Sequence, residues 1–150
     1  MSIKLITVLD SISALSVSGV TVKDLNEVTE AWQIRGAVLY PDISNLMTFN
    51  PPVRQSFGTA GRERLDVSYT LNYRFLYAPI GSGRGVKDIY SGMMTKISAI
   101  LDALNVMDAP TGSIDMTAQI VQGNPVVKDP AGNDFWGCDF SISVLEYNEV

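Results

Sequence analysis

The sequence predicts a single α+β domain over residues 1–150, with a mostly antiparallel sheet and two amphipathic helices packed on one face of it. Three observations lead to this prediction. In residues 64–78 every odd position is apolar and the even positions as far as Arg74 are polar, which indicates a half-buried strand. Two other stretches, 2–17 and 86–105, repeat apolar residues at three- and four-residue spacing, as helices do. The last third of the chain alternates again and is divided by turn sequences.

The first helix is predicted over residues 2–17. Ser2 stands at the expected N-cap and Gly19 at the expected C-terminal glycine position. Its apolar stripe comprises Leu5, Val8, Leu9, Ile12 and Leu15. Serines occupy the opposite side, so we expect one face of this helix to be exposed to solvent.

Short and irregular segments follow the first helix. Residues 20–22 favour a short strand, and residues 23–29 fit either one helical turn or an irregular loop. Residues 37–40 predict a short buried strand that Pro41-Asp42 stops. Residues 45–61 are polar and are interrupted by Pro51-Pro52 and by glycines, so we expect a long loop, about 45–64, that projects from the domain.

Residues 64–78 form the clearest predicted strand. Its odd positions carry Leu65, Val67, Tyr69, Leu71, Tyr73, Phe75 and Tyr77. At about 3.3 Å per residue such a strand is longer than most strands in a domain of this size. We therefore expect part of it to project, with its apolar face continuing onto a neighbouring subunit.

The second half predicts one helix and a strand pair. The helix over 86–105 has an uninterrupted apolar stripe. Residues 114–120 and 136–144 alternate as antiparallel strands do, and Gly123-Asn124-Pro125 and residues 129–133 read as turns between them.

Composition favours association with other subunits. Charged residues make up 18% of the chain, below the roughly 25% that is typical. The net charge is −5, with six basic and two acidic residues in 54–87 and one basic and eight acidic residues in 102–150. If these segments lie on different faces, copies could stack head to tail; scattered solvation charge is the alternative. An acidic total argues against general nucleic-acid binding.

Catalytic, cofactor and metal residues are not predicted. The chain contains no histidine and one cysteine, Cys138, which removes the usual triads and nearly all zinc sites. The glycine-rich segment 81–85 precedes a helix but matches neither the dinucleotide nor the P-loop pattern, so a plain connection is expected. No stretch has the length of a membrane span, and the N-terminus lacks the form of a signal peptide.

Two clusters stand out as binding candidates. Arg62 and Arg64 near Arg54 would suit a phosphate or carboxylate, or they form an exposed loop edge with local ion pairs. The aromatic stripe would suit base stacking, but only Arg74 is a basic residue close to it. The stripe consists of Tyr69, Tyr73, Phe75 and Tyr77. Sheet core or subunit contact is the better explanation of the stripe.

The layout of nearly the whole chain resembles a known family. The features are the N-terminal amphipathic helix, residues 18–25, the Leu39-Tyr40-Pro41-Asp42 segment, the long strand ending at residues 73–81, the apolar helix, and the aromatic strand through 135–140. Together they resemble the tail terminator, or tail completion, proteins of long-tailed phages and, more loosely, the neighbouring head–tail joining proteins.

The resemblance implies a structural protein of the virion rather than an enzyme. Such subunits form a ring, commonly a hexamer, on the end of the tail tube, stop tail polymerisation and offer a surface to the head connector. The implied partners are further copies, the tail tube protein and connector proteins, with genome DNA passing through the ring and no cofactor or membrane. Assembly takes place in the host cytoplasm.

Interface candidates follow from loop length, charge and the aromatic stripe. They lie in the 45–64 and 122–134 loops and at Arg54, Arg62, Arg64, Tyr69, Tyr73, Arg74, Tyr77 and Arg84. Two alternatives remain open: a head–tail adaptor or other minor neck protein, and a small α+β enzyme that binds a ligand at the glycine loop.

Overall fold

One antiparallel sheet with two helices organises the part of the chain that the computed structural model describes, residues 4–24, 27–28, 36–57, 62–81, 86–106, 114–121 and 125–149. The helices are α1 (Leu5–Ser13) and α2 (Val86–Val106). The strands are β1 (Thr21–Val22), β2 (Val38–Pro41), β3 (Met47–Phe49), β4 (Val53–Phe57), β5 (Arg62–Pro79), β6 (Ile114–Ile120), β7 (Val126–Lys128) and β8 (Asp134–Glu149). The predicted α+β class is confirmed.

Two long strands, β5 and β8, form the centre of the sheet. They run antiparallel from Arg64↔Glu149 to Pro79↔Phe135, with a register shift between Leu76 and Ala78. Strands β2, β3 and β4 pair one after another with the free edge of β5. Strands β6 and β7 pair with the free edge of β8. Only the β1–β2 pair is parallel among the described strands.

The main core lies between the helices and one face of the sheet. Helix α1 contributes Val8, Leu9 and Ile12, and α2 contributes Met93, Ile97, Ile100 and Leu104. The odd residues of β5 and the even residues of β8 meet them, as the alternation of side chains in strands requires. The predicted packing of both helices on one face is therefore present.

The other face of the sheet is largely polar. One transverse row joins Thr48, Thr70, Ser143 and Thr117 on β3, β5, β8 and β6. A smaller apolar cluster covers one end of this face and contains Val28, Val38, Tyr40, Leu76, Val127 and Phe135. None of the described helices is long and apolar enough to span a membrane.

The long strand does not project in the expected way. Strand β8 accompanies β5 along nearly its whole length, and Tyr69, Leu71, Tyr73 and Phe75 are at most 1% exposed. The expectation that this apolar face continues onto a neighbour was wrong. Strand β8 has 16 residues, whereas the alternation in 136–144 indicated nine, and both helices cover the β5–β8 pair.

Two further expectations need correction. Residues 45–61 are not one loop, since 47–49 and 53–57 form β3 and β4 on either side of Pro51-Pro52. Pairing with the edge of β5 stabilises strands too short to show a period of their own. Helix α1 begins at Leu5 and ends at Ser13, inside the predicted bounds; the predicted N-cap Ser2 lies outside the described residues.

The basic and acidic segments do not lie on different faces. They form the adjacent strands β5 and β8, so opposite charges meet across the ladder, as in the Arg74–Asp139 pair. The fold therefore does not present a basic face and an acidic face through which copies of the chain could stack head to tail.

Candidate interaction surfaces

The three predicted arginines of the 54–64 region lie near one another on β4 and β5, but two of them are engaged within the subunit. Arg54 Nη1 donates to Glu63 Oε2 at 2.6 Å, and both side chains are largely exposed. Arg64 donates to both oxygens of Asp66, at 2.7 and 3.2 Å, and lies over the ring of Tyr147. The backbone of Arg62 pairs with Phe57; its side chain, and all of Arg84, lie outside the described residues.

The aromatic candidates are mostly internal. Tyr69 and Tyr73 are each 1% exposed, so neither is on the subunit surface. Tyr77 is half-buried and packs beside Gly92 on α2. Burial raises the pKa of the hydroxyls of Tyr69 and Tyr73, and the Tyr69 hydrogen bond to Glu146 raises the first further. These three side chains build the core.

A buried acidic residue, Glu146, ties the start of α1 to the sheet. Its side chain is fully buried and accepts the backbone N–H of Lys4 at 2.8 Å and the Tyr69 hydroxyl at 2.6 Å. Lys4 occupies the N-cap position of α1, which has no cap from its own side chain. Glu146 therefore supplies from β8 the carboxylate that the N3 residue of a capping box ordinarily supplies to the N-cap N–H.

A second polar network centres on Arg74, on the opposite face of the sheet. The guanidinium donates to both oxygens of Asp139, at 2.8 and 3.2 Å, to the Lys128 carbonyl at 3.1 Å and to Asp42 at 3.4 Å. The hydrogen bond to Asp139 raises the pKa of Arg74. Arg74 thus links the end of β2 with β5, β7 and β8, and it serves the fold of this subunit.

Replacing Arg74 by alanine is expected to lower the free energy of unfolding by about 2–3 kcal/mol, because two carboxylates and a carbonyl lose their donor in a half-buried site. Arg74→Lys should recover about half of the loss, since an ammonium keeps the charge but not the forked contact. Urea unfolding measures both. The control is Arg54→Ala, whose exposed ion pair is worth below about 1 kcal/mol; equal losses at positions 54 and 74 would contradict the assignment.

A groove of about 690 Å³ opens between α2 and the far edge of the sheet, at the gap between β6 and β7. Its walls are mainly apolar and include Met93, Met94, Ile97, Ile120 and Val121. Arg74, Lys128, Asp134 and Asp139 lie at its polar end, where Lys128 pairs with Asp134 at 2.8 Å. Cys138 also lines it, and burial raises the pKa of that thiol to about 12, so the thiolate is scarce at neutral pH.

Exposed apolar side chains gather at two opposite edges of the sheet. Ile43, Phe49 and Val53 lie on or next to the strands that pair with the free edge of β5. Phe49 is on the helix side of the sheet beside Tyr69 and Val53 is on the opposite side beside Asp66, and we call this edge the β3–β4 surface. The α2–β6 surface, beside the groove, consists of Tyr90, Met94, Ile120 and Val121. The exposed fractions of these seven side chains lie between 37% and 56%. Apolar side chains that gather at one edge of a sheet with that exposure mark contact surfaces.

Sequence reasoning missed the residues that matter most in this geometry. Glu146 and Asn148 continue the even-numbered apolar positions of β8, so extending the period-two pattern past Val144 would have placed an acid on the buried face. No comparable signal existed for the Arg74 partners Asp42 and Asp139, which are far apart in sequence. Among the described residues, no group of three His, Cys, Asp or Glu side chains could hold a metal ion.

Comparison of the chain with known protein families and with curated proteins finds no match.

Proposed function

We propose that this chain is the subunit of a phage tail terminator, a ring on the end of the tail tube that stops tail polymerisation and receives the head connector. The order of helices and strands along the sequence, which resembles that of tail terminator proteins, supports this proposal. Such a role needs no catalytic group; it needs a rigid subunit with surfaces for its neighbours.

The observation that carries the proposal is the position of the two apolar surfaces. A subunit in a ring contacts its two neighbours through two different patches, so the contact is heterologous and must close on itself. The β3–β4 surface and the α2–β6 surface lie at opposite edges of one sheet. A single patch would suit a two-fold dimer; two patches on opposite sides suit a ring.

The ring contact is tested by blocking each surface separately. Val53→Lys places a charge on the β3–β4 surface, and Tyr90→Lys does so on the α2–β6 surface; the exposed Ile6, on α1 and outside both, provides the control Ile6→Lys. We expect each of the first two variants to be a 16.3 kDa monomer in light scattering, while Ile6→Lys assembles as the unmodified chain does. A mixture of Val53→Lys and Tyr90→Lys retains one good contact and should give a dimer that grows no further.

A role as terminator requires the ring to cap tail tubes. Negatively stained tubes mixed with the purified protein should carry a ring at one end and stop growing. Rings that bind only the head connector would favour the alternative of a neck adaptor. A chain that stays monomeric alone and in the presence of tubes would contradict both.

A further inference from the structure

Strand β6 is the outer strand on its side of the sheet, and among the described residues no strand pairs with the edge of Ile114–Ile120 that faces away from β8. Natural proteins commonly protect such edges with proline, lysine or a bulge. The β6 sequence, Ile-Asp-Met-Thr-Ala-Gln-Ile, has neither residue, and its pairing with β8 is regular. By contrast, β4 follows Pro51-Pro52 and β1 has two residues.

The hydrogen bonds show which backbone groups of β6 point outward. Val121 N–H donates toward β8, to the Asp139 carbonyl at 2.9 Å. Orientation alternates along an antiparallel strand, so the groups of Asp115, Thr117 and Gln119 also point to β8. Those of Met116, Ala118 and Ile120 point away from the sheet.

Asn105, near the end of α2, occupies the middle of this edge. Its Oδ1 accepts the Ala118 N–H at 2.9 Å, and its Nδ2 donates to the Ala118 carbonyl at 3.2 Å. The same Nδ2 donates to the Leu101 carbonyl at 3.0 Å, which anchors the amide to its helix. One side-chain amide thus makes the pair of bonds that a residue of a neighbouring strand would make.

We propose that Asn105 is a latch that closes the β6 edge in the free subunit, and that the occupant of the edge, once the latch opens, is β6 of a second copy. Both occupants need the N–H and the carbonyl of Ala118, so they exclude each other. The inference does not depend on the ring proposed above.

An antiparallel β6–β6 pair centred on Thr117 is complementary at every position. It places Met116 opposite Ala118 and Ile114 opposite Ile120, all on the helix side. On the other side Asp115 lies opposite Gln119, a carboxylate facing an amide donor, and no like charges meet. Because Met116, Ala118 and Ile120 point outward, their backbone groups form the hydrogen-bonded pairs of this register.

The surroundings of the edge favour the same occupant. Ile120 and Val121 continue β6, and Tyr90 and Met94 lie on α2 beside the groove that they line together. A second copy docked at β6 would bring the same apolar residues of both subunits together across a two-fold axis. That contact uses the α2–β6 surface, so it would compete with ring closure.

The test compares Asn105→Ala with Ser98→Ala, an exposed position on the same helix. Sedimentation in the Val53→Lys background, where ring contacts are blocked and the α2–β6 surface is intact, should show Asn105→Ala dimerising at a concentration lower by about tenfold or more, as expected when two competing hydrogen bonds are removed. Ser98→Ala should not change the dimer constant. An unchanged constant in Asn105→Ala would overturn the latch.

A second pair of variants tests the occupant and the register. Thr117→Lys, exposed and central, puts two ammonium groups opposite each other and should return Asn105→Ala to monomer. Thr117→Cys with Asn105→Ala should form a disulfide-linked dimer on oxidation, whereas Asn105→Ala alone, which retains Cys138, should not. A dimer that survives Thr117→Lys would show that the contact lies elsewhere.

Hydrogen-exchange rates of the β6 amides test the latch in the unmodified chain, without a variant. The Ala118 amide should exchange slowly because Asn105 accepts it, while the Met116 amide on the same edge should exchange fast. Fast exchange at both positions would show that the latch is open in solution and would overturn the proposal.

Discussion

Replacing Glu146 by alanine is expected to lower the free energy of unfolding by about 3 kcal/mol or more, since buried donors that lose their partner incur the full cost of desolvation. The truncation leaves two donors without an acceptor, the Tyr69 hydroxyl and the Lys4 N–H, in a site with no exposure at Glu146 itself. It also frees the start of α1 from the sheet and leaves a cavity at the Glu146 position. Urea unfolding followed by circular dichroism measures the loss.

Two variants separate the hydrogen bonds from the lost volume. Tyr69→Phe removes one donor and keeps the ring, and is expected to cost about 1 kcal/mol. The double variant Glu146→Ala/Tyr69→Phe should cost less than the sum of the single changes, because the hydroxyl that Glu146→Ala orphans is no longer present. Glu63→Ala, in an exposed pair with Arg54, is the control acid and should change stability by less than about 1 kcal/mol. A loss at position 146 as small as that at 63 would show that Glu146 does not hold α1 to the sheet.

Replacing Gly137 by alanine is expected to destabilise the protein by about 3 kcal/mol, at the upper end of what overpacking usually costs. A Cβ at this position would overlap the carbonyl oxygen of Phe75 and lie 3.0 Å from its carbonyl carbon and 3.1 Å from Val127 Cγ2. The obstacle is backbone of the central strand β5, beside the register shift between Leu76 and Ala78. Relief therefore requires the β5–β8 ladder itself to move.

Gly92→Ala is the matched control for Gly137→Ala. A Cβ at Gly92 would meet the hydroxyl end of Tyr77, which can rotate or shift, and alanine is favoured over glycine within α2 by about 1 kcal/mol. We expect Gly92→Ala to be close to neutral in thermal unfolding, while Gly137→Ala lowers the midpoint by many degrees. Equal effects of the two changes would contradict the close approach of β5 and β8 at Gly137.

Much of the fold could be predicted because the dominant patterns are local. The alternation of 64–78 and the stripe of 86–105 determine strand and helix whatever packs on them, and the observed bounds, Arg62–Pro79 and Val86–Val106, differ little. Strands β3 and β4 could not be predicted, because three and five residues around two prolines show no period and gain their hydrogen bonds only from β5.

The candidate surfaces were less predictable than the fold. The aromatic stripe and the basic charge made Tyr69, Tyr73 and Arg74 interface candidates. In the structure the two tyrosines pack against the helices and Arg74 pairs with Asp139. Tyr90, Met94 and Ile120 are exposed, yet each belongs to an apolar stripe of a helix or strand. The sequence does not show which residues of such a stripe another element buries. That depends on which elements lie beside each stripe.

By itself the sequence determined that residues 64–78 form a long strand with one apolar face, that helices cover that face, and that no histidine chemistry is present. The tertiary structure alone decided that β8 accompanies this strand from end to end, that Glu146 caps a helix from the far end of the chain, and that Asn105 closes the β6 edge. The physical reason is the separation along the chain over which each interaction acts. Periodicity and propensity act between neighbours in sequence, whereas a hydrogen bond between Lys4 and Glu146 exists only once the whole sheet has formed.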